Sequence, residues 1–126
     1  MENLISKELL SNIFGFKIRK INQSILDGNL YYYKEFYKCK SKINIYALAH
    51  KCKEWAIKQS NKENKITYIE ITQIYTIFYK SKDKVSCYIH YFYEDKKSGA
   101  GKEFIADTES EAIFEACEWI RKELLK

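Results

Sequence analysis

The stretch Thr108-Glu109-Ser110-Glu111-Ala112-Ile113-Phe114-Glu115-Ala116-Cys117-Glu118-Trp119-Ile120 decides how the rest of the chain is read. Thr108 and Glu111 have the spacing of a capping box, in which the hydroxyl accepts from an orphan N–H of the first turn and the Glu reaches back. Asp107, Glu109 and Glu111 place negative charge at the start of the segment, and Arg121, Lys122 and Lys126 place positive charge at its end, as a helix dipole favours. At about 100° per residue, Ala112, Ile113, Ala116, Cys117, Trp119, Ile120 and Leu124 share one broad arc. Glu111, Glu115, Glu118, Lys122 and Lys126 fall opposite. The spacing predicts an amphipathic helix over 108–126 that lies against a sheet, with Trp119 as a buried anchor at the rim of its apolar arc.

The sheet it needs is found upstream. Residues 66–80 and 85–94 read as two long strands joined by a hairpin loop at 81–84, and 102–106 as a short third strand feeding the helix. The odd positions Ile69, Ile71, Tyr75, Ile77 and Tyr79 face the same way as Val85, Cys87, Ile89, Tyr91 and Tyr93. Trp119 and Ile120 are expected to pack there, on Ile71 or Ile89. Residues 96–101 form a flexible loop.

The first half has the same ingredients. Ile5, Leu9 and Ile13 recur every four residues, which predicts a helix over 3–14 that Gly15 closes in the left-handed conformation. Strands follow over 16–26 and 30–39 around the turn signal Asp27-Gly28-Asn29. Asn44 caps a second helix reaching about residue 60, with Ile45, Leu48, Ala49, Cys52, Trp55 and Ala56 on one face, and 60–65 is a polar linker. The order is α-β-β-α-β-β-β-α. Hairpin-connected runs of strands favour an antiparallel sheet with helices packed on it, so the chain is expected to be a single α+β domain over 1–126. The two later helices echo each other, Cys52-Lys53-Glu54-Trp55 beside Cys117-Glu118-Trp119, through duplication or through matched packing demands.

Composition bounds the chemistry. The chain has 126 residues, 46% of them hydrophobic, enough to bury a core and too apolar for disorder. The four cysteines, Cys39, Cys52, Cys87 and Cys117, make no paired motif. With no apolar run of membrane length and no secretory leader, free thiols in a reducing cytoplasm are expected. The net charge of +5 is uneven: residues 1–65 hold 13 Lys and Arg against 6 acids, and residues 66–126 hold 9 against 11. That asymmetry suits an acidic partner for the first half, and equally a solvated lysine-rich surface.

No residue pattern points to catalysis. His50 and Cys52 are two apart on a helix, and Cys87 and His90 three apart on a strand, so neither pair aims at one ion. No nucleophile stands beside a base, and Gly99-Ala100-Gly101 is too short to cradle a phosphate. The chain therefore reads as a non-enzyme without catalytic residues, metal or cofactor. Two surfaces remain. On the even positions of the long hairpin, Ile74, Phe78, Tyr88, His90 and Phe92 predict a protein-binding patch for a partner or a second copy, unless another element covers them. In the first half, Tyr31, Tyr33, Lys34, Lys38, Lys40 and Lys42 combine rings that stack on bases with cations that neutralise phosphates, the makings of a nucleic-acid surface.

The segments Asn44-Ile45-Tyr46-Ala47-Leu48-Ala49-His50-Lys51-Cys52-Lys53-Glu54-Trp55-Ala56 and Glu111-Ala112-Ile113-Phe114-Glu115-Ala116-Cys117-Glu118-Trp119-Ile120 resemble small phage and mobile-element proteins with an α/β sandwich. The resemblance implies an accessory protein that binds and inhibits or modulates a host protein, such as a defence nuclease, in the manner of an anti-CRISPR inhibitor. It brings no catalytic residue with it.

Overall fold

Local signals set the helix starts. Ser6 is extended, and its Oγ accepts from the N–H of Leu9 at 3.0 Å. In the computed structural model, which describes residues 5–22, 27–59, 66–93 and 100–124, the first helix α1 therefore spans Lys7–Phe14 and leaves Ile5 outside it. Ile5 is buried all the same, and with Leu10 occupies the two positions of a hydrophobic staple. Gly15 closes α1 at φ 79°, its N–H bonded to the Ser11 carbonyl. Asn44 Oδ1 accepts from Tyr46 and Ala47 at 2.9 and 3.2 Å and starts α2 (Ile45–Lys58). Thr108 Oγ1 accepts from Glu111 at 3.2 Å and starts α3 (Glu109–Trp119). A π-helical turn, Ile120–Leu124, follows α3 where an unbroken α-helix was expected.

The strands depart further from expectation. The first half holds three: β1 (Ile18–Ile21), β2 (Asn29–Lys34) and β3 (Ser41–Asn44), paired antiparallel in that order. The run expected over 30–39 stops at Lys34 because Phe36 turns the chain at φ 70°, a conformation normally left to Gly or Asn. The second half holds β4 (Ile66–Tyr79), β5 (Lys82–Tyr93) and β6 (Ala100–Ala106), again antiparallel in order. The β4–β5 connection is only Lys80-Ser81, both at positive φ, so Lys82 to Lys84 belong to β5 rather than to a loop. The class is α+β as expected, with the antiparallel strands divided between two three-stranded sheets. The polar linker at 60–65, most of the loop at 96–101 and the chain ends lie outside the described residues.

Each half thus runs through a three-strand meander into a helix. Helix α2 packs on α3 and β4, and α3 packs on β5 and β6. One core joins both halves, with Leu9, Leu30, Leu48, Ile69, Ile89, Phe114 and Ile120 fully buried. Glu118, expected on the polar face of α3, ties the ends together. Its carboxylate accepts from the Ser6 N–H at 2.7 Å and from the Ser6 hydroxyl at 2.9 Å, and Arg121 reaches it at 3.3 Å.

A bulge in β4 decides which side chains face this core. Ile71 pairs with Ile89 and Thr72 with Tyr88, but the register resumes at Tyr75 and Ser86. Gln73 and Ile74 together stand opposite Cys87, and the inward parity of β4 switches there from odd to even.

Candidate functional site

The described helices pack on one face of each sheet, so among the described residues each sheet keeps an outer face. On the second sheet, cross-strand pairing places Tyr75 beside Ser86 and Ile105, Ile77 beside Lys84, and Tyr79 beside Lys82. Further along lie Tyr88 with Glu103, then Glu70 with His90 and Gly101, then Phe92. Tyr75 is 51% exposed, Tyr79 41% and Phe92 37%, too open for a core. The Tyr88 and His90 rings lie 4.6 Å apart between centroids. Tyr88 also lies across Gly101 so closely that a Cβ there would strike its ring and hydroxyl. Beneath the rings, Ser86 is buried and donates to Glu103 at 2.6 Å. Charge is graded along the face: Lys82 and Lys84 at the hairpin end, Glu70 and Glu103 towards the other. Lys84 bonds Asp107, which holds that carboxyl below its ordinary range through the hydrogen bond first and the ammonium charge second.

Of the patch expected from sequence, Tyr88, His90 and Phe92 share this face. Ile74 does not: beyond the bulge it turns inward and packs on the core. Phe78 alternates with it, on the inner side, 75% exposed near the hairpin tip and beyond the helices. Tyr75, Ile77 and Tyr79, which simple alternation assigned inward, take their places. Trp119, expected as a buried anchor on Ile71 or Ile89, is only half-buried, its ring 5.7 Å from Tyr91 and 6.1 Å from Phe104. Ile120 is fully buried in the core that holds Ile71 and Ile89.

The outer face of the first sheet differs in kind. Tyr31 pairs with Lys42, and Tyr33 with Lys20. Arg19 stands at a register shift in β1, its guanidinium 5.0 Å from the centre of the Tyr33 ring. Lys40 Nζ stands 4.9 Å from the Tyr31 ring. Of the residues expected here, Tyr31, Tyr33, Lys40 and Lys42 come together. Lys34 pairs with the buried Ile18 and lies over the rings of Phe16 and Tyr37, off this face, and Lys38 is exposed in the β2–β3 connection. Arg19 and Lys20 were missing from the expected set. Their pairing with the Tyr ladder is a long-range register that local spacing does not reveal.

Among the described residues no three His, Cys, Asp or Glu gather as metal ligands, and no helix is long and apolar enough to cross a membrane. Cys52, Cys87 and Cys117 are buried free thiols, and Cys39 is exposed. Burial, then the charge of Glu115, pushes the Cys87 thiol up to about 12. The Cys117 thiol is also raised, first by its hydrogen bond to Cys52 and then by burial. His50 stands 3.6 Å from Glu54 on the exposed side of α2. No family model matches the chain, and no curated protein and no solved structure matches it.

Proposed function

We propose that this chain is a non-catalytic protein-binding protein, an adaptor or inhibitor of a host protein, that docks its partner on the outer face of the second sheet. The observation that carries the reading is the set Tyr75, Ile77, Tyr79, Tyr88, Phe92 and Ile105 on one sheet face with no described helix or strand packed over it. A solvated sheet face does not need this many rings, and aromatic side chains are the ones that carry binding energy at interfaces. The charge gradient suits a partner with an apolar strip that carries acid towards Lys82 and base towards Glu70 and Glu103. A second copy turned by a two-fold axis has that pattern, as does any partner with the complementary gradient. Cys87 and Cys117, buried and held protonated at neutral pH, are poor nucleophiles.

The test is Tyr75→Asp with Phe92→Asp. Light scattering on the purified protein reports self-association, and capture from nuclease-treated host-cell lysate reports a hetero-partner. The expected result is loss of the dimer or of one specifically captured protein at unchanged circular dichroism. A wild-type chain that is monomeric and captures the same proteins as the variant overturns the reading.

A further inference from the structure

We infer that the outer face of the first sheet is a binding platform for single-stranded DNA, a second site separate from the protein-docking face. Between Phe16 and Lys42 the chain carries seven Lys and Arg against two acids. One of those acids, Glu35, is already paired with Lys17 at 3.0 Å. Pairing across β1, β2 and β3 collects four of the cations, Arg19, Lys20, Lys40 and Lys42, around the ladder of Tyr31 and Tyr33. Arg19, Lys20, Lys40 and Lys42 are exposed, while both Tyr rings are half-buried and so held in place by the sheet.

The arrangement favours a single strand over a duplex. Two rings at alternate positions of one strand stand about 7 Å apart on the same side. Rings so placed offer stacking planes to bases, which a duplex keeps inside its own stack. Arg19 and Lys40 lean on these rings through cation–π contacts, which fix their charged ends beside the stacking planes, where a backbone phosphate follows each base. Lys20 and Lys42 flank them on the neighbouring strands, and the cations give the face its affinity without sequence preference. Lys and Arg tips and Tyr rings meet phosphates and bases on either backbone, and the 2′-hydroxyl is the contact through which proteins single out RNA. We take single-stranded DNA as the ligand, and the uridine RNA arm of the test separates the two backbones.

Fluorescence anisotropy with a labelled 15-mer of thymidine tests this on the full chain. Tyr31→Ala with Tyr33→Ala is expected to weaken binding about ten-fold or more, the loss of base stacking. Lys20→Ala with Lys42→Ala leaves the rings untouched and is expected to flatten the slope of log K against log salt by about 1.4. Lys51→Ala with Lys58→Ala removes the same charge from the exposed side of α2 and is expected to leave both affinity and slope unchanged. The docking variant Tyr75→Asp with Phe92→Asp is expected to keep full DNA binding, so this inference stands or falls apart from the proposed function. No binding to the 15-mer, equal weakening by the α2 pair and the sheet pair, or a duplex bound as tightly as the single strand would each overturn it. A uridine RNA 15-mer bound ten-fold more tightly than thymidine would overturn the assignment to DNA.

Discussion

The β1-β2-β3-α2 half and the β4-β5-β6-α3 half solve the same packing problem and then part company. Both are meanders followed at once by a helix, capped in one by Asn44, the last residue of β3, and in the other by Thr108, two residues past β6. Both helices bury a Cys, Cys52 and Cys117, and their thiol and carbonyl meet at 3.5 Å between the halves. Inside, then, the halves are alike. Outside, one sheet displays Arg and Lys around two Tyr rings, and the other a longer strip of rings with a charge gradient. The contrast shows where constraint lies: a shared core fixes the inner positions, while alternate positions on the same strands are free to specialise.

The largest expected effect is at the paired tryptophans. Trp55 is buried, so Trp55→Ala should cost about 3–5 kcal/mol in a urea melt. Trp119 keeps one side open over Tyr91, Phe104 and Lys102, so Trp119→Ala should cost about 2 kcal/mol. Equal losses would mean the halves are packed more alike than their exposures indicate.

Next come the turns. Asp27 and Gly28 hold positive φ in the first half, a pair suited to it, whereas Lys80 and Ser81 hold it in the second with side chains that resist it. Replacing Lys80-Ser81 by Asn-Gly should raise stability by about 1 kcal/mol, read as a higher denaturation midpoint at unchanged slope. A destabilised variant would show that these side chains make a contact worth more than the strain.

The caps should differ by less. Asn44 accepts two N–H groups and Thr108 one, so Asn44→Ala should cost about 1–2 kcal/mol and Thr108→Ala about 1. The effect that vanishes at neutral pH is that of titration. The folded pKa of Cys87 lies above its unfolded value, so its contribution is complete below about pH 9 and is lost as pH climbs towards 12. Stability should fall over that window, and fall less in Cys87→Ala. In the same experiment Cys39 should react with a thiol reagent in the native protein, and Cys52, Cys87 and Cys117 only on unfolding.

How much of this was legible depended on range. The caps at Asn44 and Thr108 and the left-handed Gly15 were readable because each acts within one helical turn. The apolar faces of α2 and α3 were readable because periodicity alone defines them. Strand β3 was not: Phe36 makes its turn without Gly or Pro, and Ser41 to Asn44 offer too few residues to show alternation. The candidate docking face was half legible. Tyr88, His90 and Phe92 sit on a regular strand, so parity placed them together. On β4 apolar residues occupy both parities from Ile69 to Tyr79, and nothing local marks the bulge at Gln73 and Ile74.

The α+β class, the starts of α2 and α3, the apolar helix faces and the uneven charge were fixed locally, because they follow from local hydrogen bonding, side-chain periodicity and composition, whereas the start of α1 was expected at residue 3 and lies at Lys7. Tertiary structure alone decided the division into two sheets, the inward turn of Ile74, the outward turn of Tyr75, Ile77 and Tyr79, and the meeting of Arg19 and Lys20 with the Tyr ladder. Strand pairing is the reason: register is set between segments far apart in the chain, and a shift of one residue moves every following side chain to the opposite face.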